Sequence, residues 1–181
     1  MQKNSTIPIL LKNPKILIIG GGNVALQKAK VLQQNNIEFH IISDTFKKKI
    51  LKTTPHIQHK KFQRKDIKDF SIIIDATGVT KIAQKLLKYK KNHSILLNIV
   101  SNPSLCDFYF MALTKNIPLQ IAVSSNGASP TAAKFFRDEC EKIIPKDISK
   151  YLLKKQKQRA KGIIKKDKTR KELQRKNKDN I

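Results

Sequence analysis

Apolar positions along this chain recur on two alternating periods. Ile16, Leu17, Ile18 and Ile19 form an unbroken apolar run, the pattern of a parallel strand covered on both faces. The run stops at Gly20. Beyond it Val24, Ala25, Ala29, Val31 and Leu32 fall on one helical face and Gln27, Lys28, Lys30, Gln33 and Gln34 largely on the other, which predicts an amphipathic helix. Phe39 to Ile42 is a second strand. The alternation continues with a modest strand over 56–62, a continuous apolar run over 71–74, a helix over 81–91 with Ile82, Leu86 and Leu87 inward, and a buried strand over 95–100. The character then changes. A segment at 119–124 leads through a polar turn into an amphipathic helix over 131–144, which Pro145 ends. Strands alternating with helices predict an α/β architecture built on a parallel sheet.

The junction of the first strand and helix carries chemistry. Gly20, Gly22 and Ala25 fit the G-x-G-x-x-G/A spacing of a dinucleotide-binding, Rossmann-type βαβ unit. Gly20 permits the tight turn, Gly22 lets backbone approach a pyrophosphate, and Ala25 lets helix and strand pack closely. The helix N-terminus supplies N–H donors and the positive end of a dipole. Asp44 follows the second strand about 20 residues later, where a carboxylate accepts from the ribose hydroxyls of NAD. Two alternatives stand beside that role: Asp44 as N-cap of a helix over 45–51, and Lys47, Lys48 and Lys49 meeting the 2′-phosphate of NADP.

Two further strand ends fall on the same edge of the sheet. Asp75-Ala76-Thr77-Gly78 closes the run at 71–74, where open α/β sheets bind ligands; the segment reads either as a contact for the nicotinamide half or as a turn with a helix cap. Asn98-Ile99-Val100-Ser101-Asn102-Pro103 closes the strand at 95–100. Later, Ser125-Asn126-Gly127-Ala128 leads to Ser129-Pro130, an N-cap followed by proline at the first helical position. That turn reads equally as an anion site and as a plain cap.

Composition sets the outer bounds. A chain of 181 residues holds one core of ordinary size and a smaller appendage. The 38 Lys and Arg against 13 Asp and Glu give a formal net charge of +25, which invites a nucleic-acid reading. Residues 146–181 hold 15 of the basic and 4 of the acidic residues, so the excess is partly a property of the tail. That tail lacks interleaved aromatics beyond Tyr151, which argues against nucleic acid as the main partner; a general lysine bias, visible also at Lys81, Lys85 and Lys88, is the plainer account. Scattered Ile148, Tyr151, Leu152, Leu153, Ile163 and Ile164 suggest one or two docking helices before a frayed end. Cys106 and Cys140 stand far apart with no C-x-x-C or Cys/His ligand pattern, so neither a disulfide framework nor a metal site is expected. No apolar run approaches the roughly 20 residues of a membrane span, and no signal-peptide core precedes the first strand; the expected location is the cytoplasm. The apolar patch at 7–11 is expected along the sheet edge or over the cofactor cleft.

Taken together, Pro8-Ile9, GGGNVALQKAKVL, DATG, NIVSNP, LCDFYF, and PLQIAVSSNGASPTAAKFFRD followed by IIP resemble the precorrin-2 dehydrogenases of sirohaem synthesis, including the N-terminal part of multifunctional sirohaem synthases. The resemblance covers roughly residues 8–145. It implies oxidation of precorrin-2 to sirohydrochlorin with NAD⁺ taking the hydride and, in some members, insertion of Fe²⁺ in the same cleft. It implies a homodimer as well, with three regions: an NAD-binding domain over 1–112, a dimerisation and substrate-cleft segment over 113–145, and a basic helical region over 146–181. Position by position, Asn23, Val24, Asp44 and Thr45 would touch NAD beside Gly20, Gly22, Asp75 and Thr77, while Asn98, Ser125, Asn126 and Ser129 would face the substrate. Ser125 matches a serine that some larger members carry phosphorylated.

One position departs from the family. Ser101 stands where many members have an aspartate favoured as general base, and a hydroxyl is too weak a base to replace it. Asp107 and Asp75 are the nearby acids. Without an evident His/Asp cluster for metal insertion, the expectation is dehydrogenation without strong chelation, a separate chelatase taking the product. A bifunctional enzyme, or a relative that binds NAD(H) or tetrapyrrole without chemistry, are the alternatives. The positive charge suits a substrate carrying many carboxylates.

Overall fold

The computed structural model describes residues 6, 11–115, 119–145 and 147–162. Most of the apolar patch at 7–11 and the tail expected to fray lie outside the described residues, as do Ile163 and Ile164. Two compact units divide after Phe110.

Five short strands, β1 (Ile16–Ile19), β2 (His40–Ser43), β3 (Ile57–His59), β4 (Ile72–Asp75) and β5 (Leu96–Ile99), form the first unit's parallel sheet in the order β3-β2-β1-β4-β5. Helix α1 (Asn23–Gln34) joins β1 to β2, and α2 (Thr80–Lys90) joins β4 to β5. Successive side chains of a strand point to opposite faces, so each continuous apolar run feeds two cores at once. Ile16, Ile18 and Ile74 pack with Ala25, Ala29 and Leu32 of α1. Leu17, Ile19, Ile73 and Leu97 pack with Ala83, Leu86 and Tyr89 of α2. The two helices therefore cover opposite faces, and the sheet is doubly wound.

Burying a side chain such as Leu86 or Leu17 completely is worth about 1.5–3 kcal/mol. The core of α2 is turned slightly from the expected face. Ala83, Leu86 and Tyr89 are buried, while Ile82 and Leu87 are only partly so, because the Tyr89 ring stacks on His93 below the last turn. Connections on the β3 side are thin: single 3₁₀ turns at Ile50–Lys52 and Arg64–Ile67 stand where a lysine-rich helix or loop and a short link were expected.

The second unit begins with a small antiparallel pair, β6 (Ala112–Leu113) and β7 (Ala122–Val123). Its first strand is too short to leave a periodic signal in the sequence. Helix α3 (Pro130–Ile143) packs on this pair, held by Arg137 Nη1 on the Leu113 carbonyl at 3.3 Å. Helix α4 (Ile148–Ala160) follows, with Ile148 buried. No helix among the described residues is long and apolar enough to cross a membrane.

Candidate functional site

The strand order places the reversal of winding between β1 and β4, since α1 leads away on one side and α2 on the other. A crevice at the carboxyl ends of those two strands is the usual ligand position in such sheets. The residues there are built for close approach.

Gly20 holds φ +119, a conformation that side chains rarely adopt, and a Cβ on it would lie 2.9 Å from the Ala76 carbonyl oxygen. Gly21 is tighter still: a Cβ would come within 1.8 Å of the Thr45 oxygen, and the Gly21 carbonyl accepts from Lys47 N–H at 3.0 Å. The glycine turn is thus wedged between the loops that leave β4 and β2. Gly22 differs. It is the N-cap of α1 at φ −87, and a Cβ there would meet nothing among the described residues within 4 Å. Nor does any side chain cap the helix or place an acid in its first turn. The first N–H groups of a helix have no intrahelical partner, so this end presents donors and positive dipole toward open space. Gly22, Asn23 and Val24 are all exposed. This cradle fits a pyrophosphate.

Asp44 and Thr45 sit just past β2, both exposed, in the loop whose backbone abuts Gly21. No helix begins there. The nearest helical turn starts at Ile50 with Lys49 as its N-cap, so the capping alternative for Asp44 is overturned.

Asp75 closes β4 and is 1% exposed. Its Oδ1 accepts from Thr77 N–H at 3.0 Å and from the Thr77 hydroxyl at 2.6 Å, and Thr77 Oγ1 in turn accepts from Val79 N–H at 3.1 Å. Thr77 thus shapes the turn, while Val79 is the N-cap of α2. Asp75 Oδ2 is buried with no partner. An unsatisfied buried acceptor costs about 1–3 kcal/mol.

Asn98 lies one strand over on β5. Its amide nitrogen donates to the Phe108 carbonyl at 2.8 Å, and its Oδ1 is the other buried, unpartnered side-chain oxygen among the described residues. Ser101 is exposed in the turn after β5. Asp107 is occupied structurally: one oxygen pairs with Lys90 and the other accepts from Leu97 N–H at 2.8 Å, while its own N–H returns to the Leu97 carbonyl at 2.8 Å. It closes the free edge of β5. Cys106 continues that closure, accepting from Ile99 N–H at 3.2 Å; burial pushes its thiol pKa up.

In the second unit Ser125 Oγ accepts from Ser129 N–H at 2.9 Å and Ser129 Oγ from Ala132 N–H at 3.2 Å. Asn126 takes the left-handed turn at φ 53. Both hydroxyls accept from the backbone where α3 begins. The candidates thus fall into three groups. Gly20, Gly22, Asn23, Val24, Asp44, Thr45, Asp75 and Thr77 gather at the ends of β1, β2 and β4; Asn98, Ser101 and Asp107 attend β5; Ser125, Asn126 and Ser129 belong to the second unit. Gly21 was not singled out in the sequence, because its necessity comes from a carbonyl 24 residues away in the chain.

A family model described as "Putative NAD(P)-binding" matches residues 7–112, and one described as "Sirohaem biosynthesis protein central" matches residues 118–142. The chain belongs to the first of these, the putative NAD(P)-binding family. Similar proteins include a siroheme synthase of Blochmanniella floridana, 31% identical over 149 residues, and one of Methylococcus capsulatus, 32% identical over 145 residues. Each alignment covers 77% of this chain and 31% of the relative, so the chain spans about a third of their length. Among solved structures it is similar to SirC, a precorrin-2 dehydrogenase, with a TM-score of 0.73 at 20% identity, covering 93% of this chain and 86% of that one. That likeness is one of fold. The Rossmann-type sheet and the NAD(P)-binding character of the first unit thus stand as expected.

Proposed function

We propose that this protein is an NAD-dependent precorrin-2 dehydrogenase of sirohaem biosynthesis, working in the cytoplasm. The observation that carries this is the open glycine turn at Gly22, which leads from β1 into α1 at the switch point of the sheet. The reading is supported by an NAD(P)-binding family match before residue 115 and a sirohaem-biosynthesis match after it. Bound NAD⁺ supplies an acceptor for the hydride that precorrin-2 loses, a proton leaving with it to give sirohydrochlorin. Gly22 and the first turn of α1 hold the diphosphate, Asn23 and Val24 line it, and Asp44 with Thr45 receives the ribose. A carboxylate at Asp44 favours a free 2′-hydroxyl over a phosphate, hence NAD over NADP.

Asn98, Ser125, Asn126 and Ser129 serve the substrate, whose carboxylates the +25 charge attracts and steers. Ser101 leaves the departing proton to water or the ring nitrogens, and Asp107, with both oxygens engaged, stays structural. That economy argues against chelation, which must remove pyrrole protons as well; a separate chelatase then takes the product. Residues 113–145 act as a dimerisation segment. Phe135, Phe136 and Ile143 on α3 are 58%, 58% and 73% exposed, an apolar surface that a second copy would cover.

The test is to incubate purified protein with enzymatically generated precorrin-2 and NAD⁺ without metal, follow sirohydrochlorin by its visible spectrum, then add Fe²⁺ or Co²⁺. Sirohydrochlorin that stays metal-free is the expected result. The exposed Ser101 and the engaged Asp107 favour one second reading, a non-catalytic binder of NAD(H) or tetrapyrrole, which would give NAD binding with no spectral change.

A further inference from the structure

At the opposite end of the sheet, where β2 and β3 begin, three metal-ligating side chains converge. Glu38 and His40 stand two residues apart on an extended segment and so share one side of it, with Phe39 between them turned into the core at 2% exposure. His56 comes from the neighbouring strand. Its carbonyl accepts from Ile41 N–H at 2.9 Å, which sets it beside His40, and the two imidazoles stack with centroids 4.5 Å apart. The Phe70 ring makes a T-shaped contact with His40, centroids 5.1 Å apart. Glu38 Oε1 lies 3.2 Å from His56 Nε2. One ligand atom from each of the three falls within 4.8 Å of the others, the only such triple among the described residues.

We propose that Glu38, His40 and His56 form a binding site for a divalent transition-metal ion of the Zn²⁺ class. Two imidazoles and a carboxylate select Zn²⁺, Ni²⁺ or Co²⁺ over Mg²⁺ and Ca²⁺, which take all-oxygen shells. A tetrahedral ion with bonds of about 2.0–2.1 Å needs ligand atoms about 3.3 Å apart. The Glu38–His56 pair already meets that separation. His40 has to close by at most about 1.5 Å, within reach of side-chain rotation. The backbone beneath is pre-tied: Thr54 Oγ1 donates to the Phe39 carbonyl at 2.9 Å and accepts from His56 N–H at 3.2 Å, so the strand bearing Glu38 and His40 and the one bearing His56 are clamped by the same hydroxyl. His56 and Glu38 keep 40% and 76% of their side-chain surface exposed, leaving an entry path and room for water as a fourth ligand.

The site lies at the amino ends of β2 and β3, at the opposite end of the strands from the glycine turn, so it stands apart from the proposed NAD site. Its effect is to staple β3, a three-residue strand at the edge of the sheet, to its neighbour. A sequence scan for ligand spacing passes over it, because the ligands come from two segments 16 residues apart and the chain offers no Cys or His cluster in line.

The test uses the full chain, stripped with a chelator, desalted and titrated with Zn²⁺ by calorimetry, alongside Glu38→Gln and His56→Gln. The expected result is one Zn²⁺ equivalent that each variant weakens at least tenfold, with NAD affinity unchanged in both as proof of folding, and a thermal midpoint that rises with Zn²⁺ only in the parent. Because Glu38 is a surface residue, its variant keeps the test alive if His56→Gln fails to fold. Wild-type binding weaker than about 100 µM overturns the proposal and leaves a Glu38–His56 surface ion pair. Tight binding that both variants retain also overturns it, since the ion would then sit elsewhere.

Discussion

Replacing Gly22 with alanine separates cofactor binding from stability. At φ −87 and ψ −164 alanine is unstrained, and its methyl would touch nothing among the described residues within 4 Å. Folding should therefore change by no more than about 1 kcal/mol, the stiffer unfolded chain offsetting the poorer capping by alanine at the N-cap. The same methyl, however, occupies the space through which a diphosphate must approach the first turn of α1. Losing one charge-assisted hydrogen bond there costs about 1.5–3 kcal/mol, so NAD should bind about 10–150-fold more weakly. Gly21→Ala is the contrasting control: its methyl meets the Thr45 carbonyl at 1.8 Å, backbone must move, and the thermal midpoint should fall. Calorimetric titration with NAD⁺ and a melting curve by circular dichroism read the two effects apart. Unchanged NAD affinity in Gly22→Ala, with its fold intact, would refute the placement of the diphosphate at this turn.

Asp75→Ala should strip the acceptor from the Thr77 N–H and hydroxyl and lower the melting point, at about 1–3 kcal/mol of lost stability; an unchanged melting point would show that the turn after β4 does not depend on Asp75. Ser101→Asp places a carboxylate in the exposed turn after β5 and should raise the dehydrogenation rate, by up to about a hundredfold if proton removal limits it; pre-steady-state absorbance reads this, and an unchanged rate means that no base is needed there. Cys106 should alkylate more slowly with iodoacetamide than in the urea-unfolded chain, because burial raises its thiol pKa and its S–H points at the Ile99 carbonyl. The sign for stability follows: the folded state holds the proton more tightly, so this contribution is full below the ordinary thiol value near 9.0 and is lost as pH rises beyond it. Alkylation at equal rates in both states would contradict that burial.

Much of this was legible in the residues. The apolar runs at 16–19 and 71–74 mark central parallel strands because both faces of the sheet are covered, and the G-x-G-x-x-A spacing marks the turn because Gly20 abuts the Ala76 carbonyl and Ala25 is fully buried. Less was legible where tertiary contacts decide. Gly21 depends on the Thr45 carbonyl, and Asp107 depends on Lys90 and the Leu97 amide; neither dependence has a local signature. The strand at Ala112–Leu113 is two residues long and leaves no periodicity to read. Val24, expected on the inner face of α1, is exposed at the start of that helix, where the cofactor role assigned by resemblance would need it.

The most direct test of the central claim is the stoichiometry of NADH to sirohydrochlorin in a metal-free reaction of the purified chain with precorrin-2 and NAD⁺, followed in one cuvette. Equal amounts rising together are predicted, both abolished in Gly22→Ala at limiting NAD⁺. Precorrin-2 left unchanged in the presence of bound NAD⁺ would contradict the assignment and leave a nucleotide-binding relative without the chemistry.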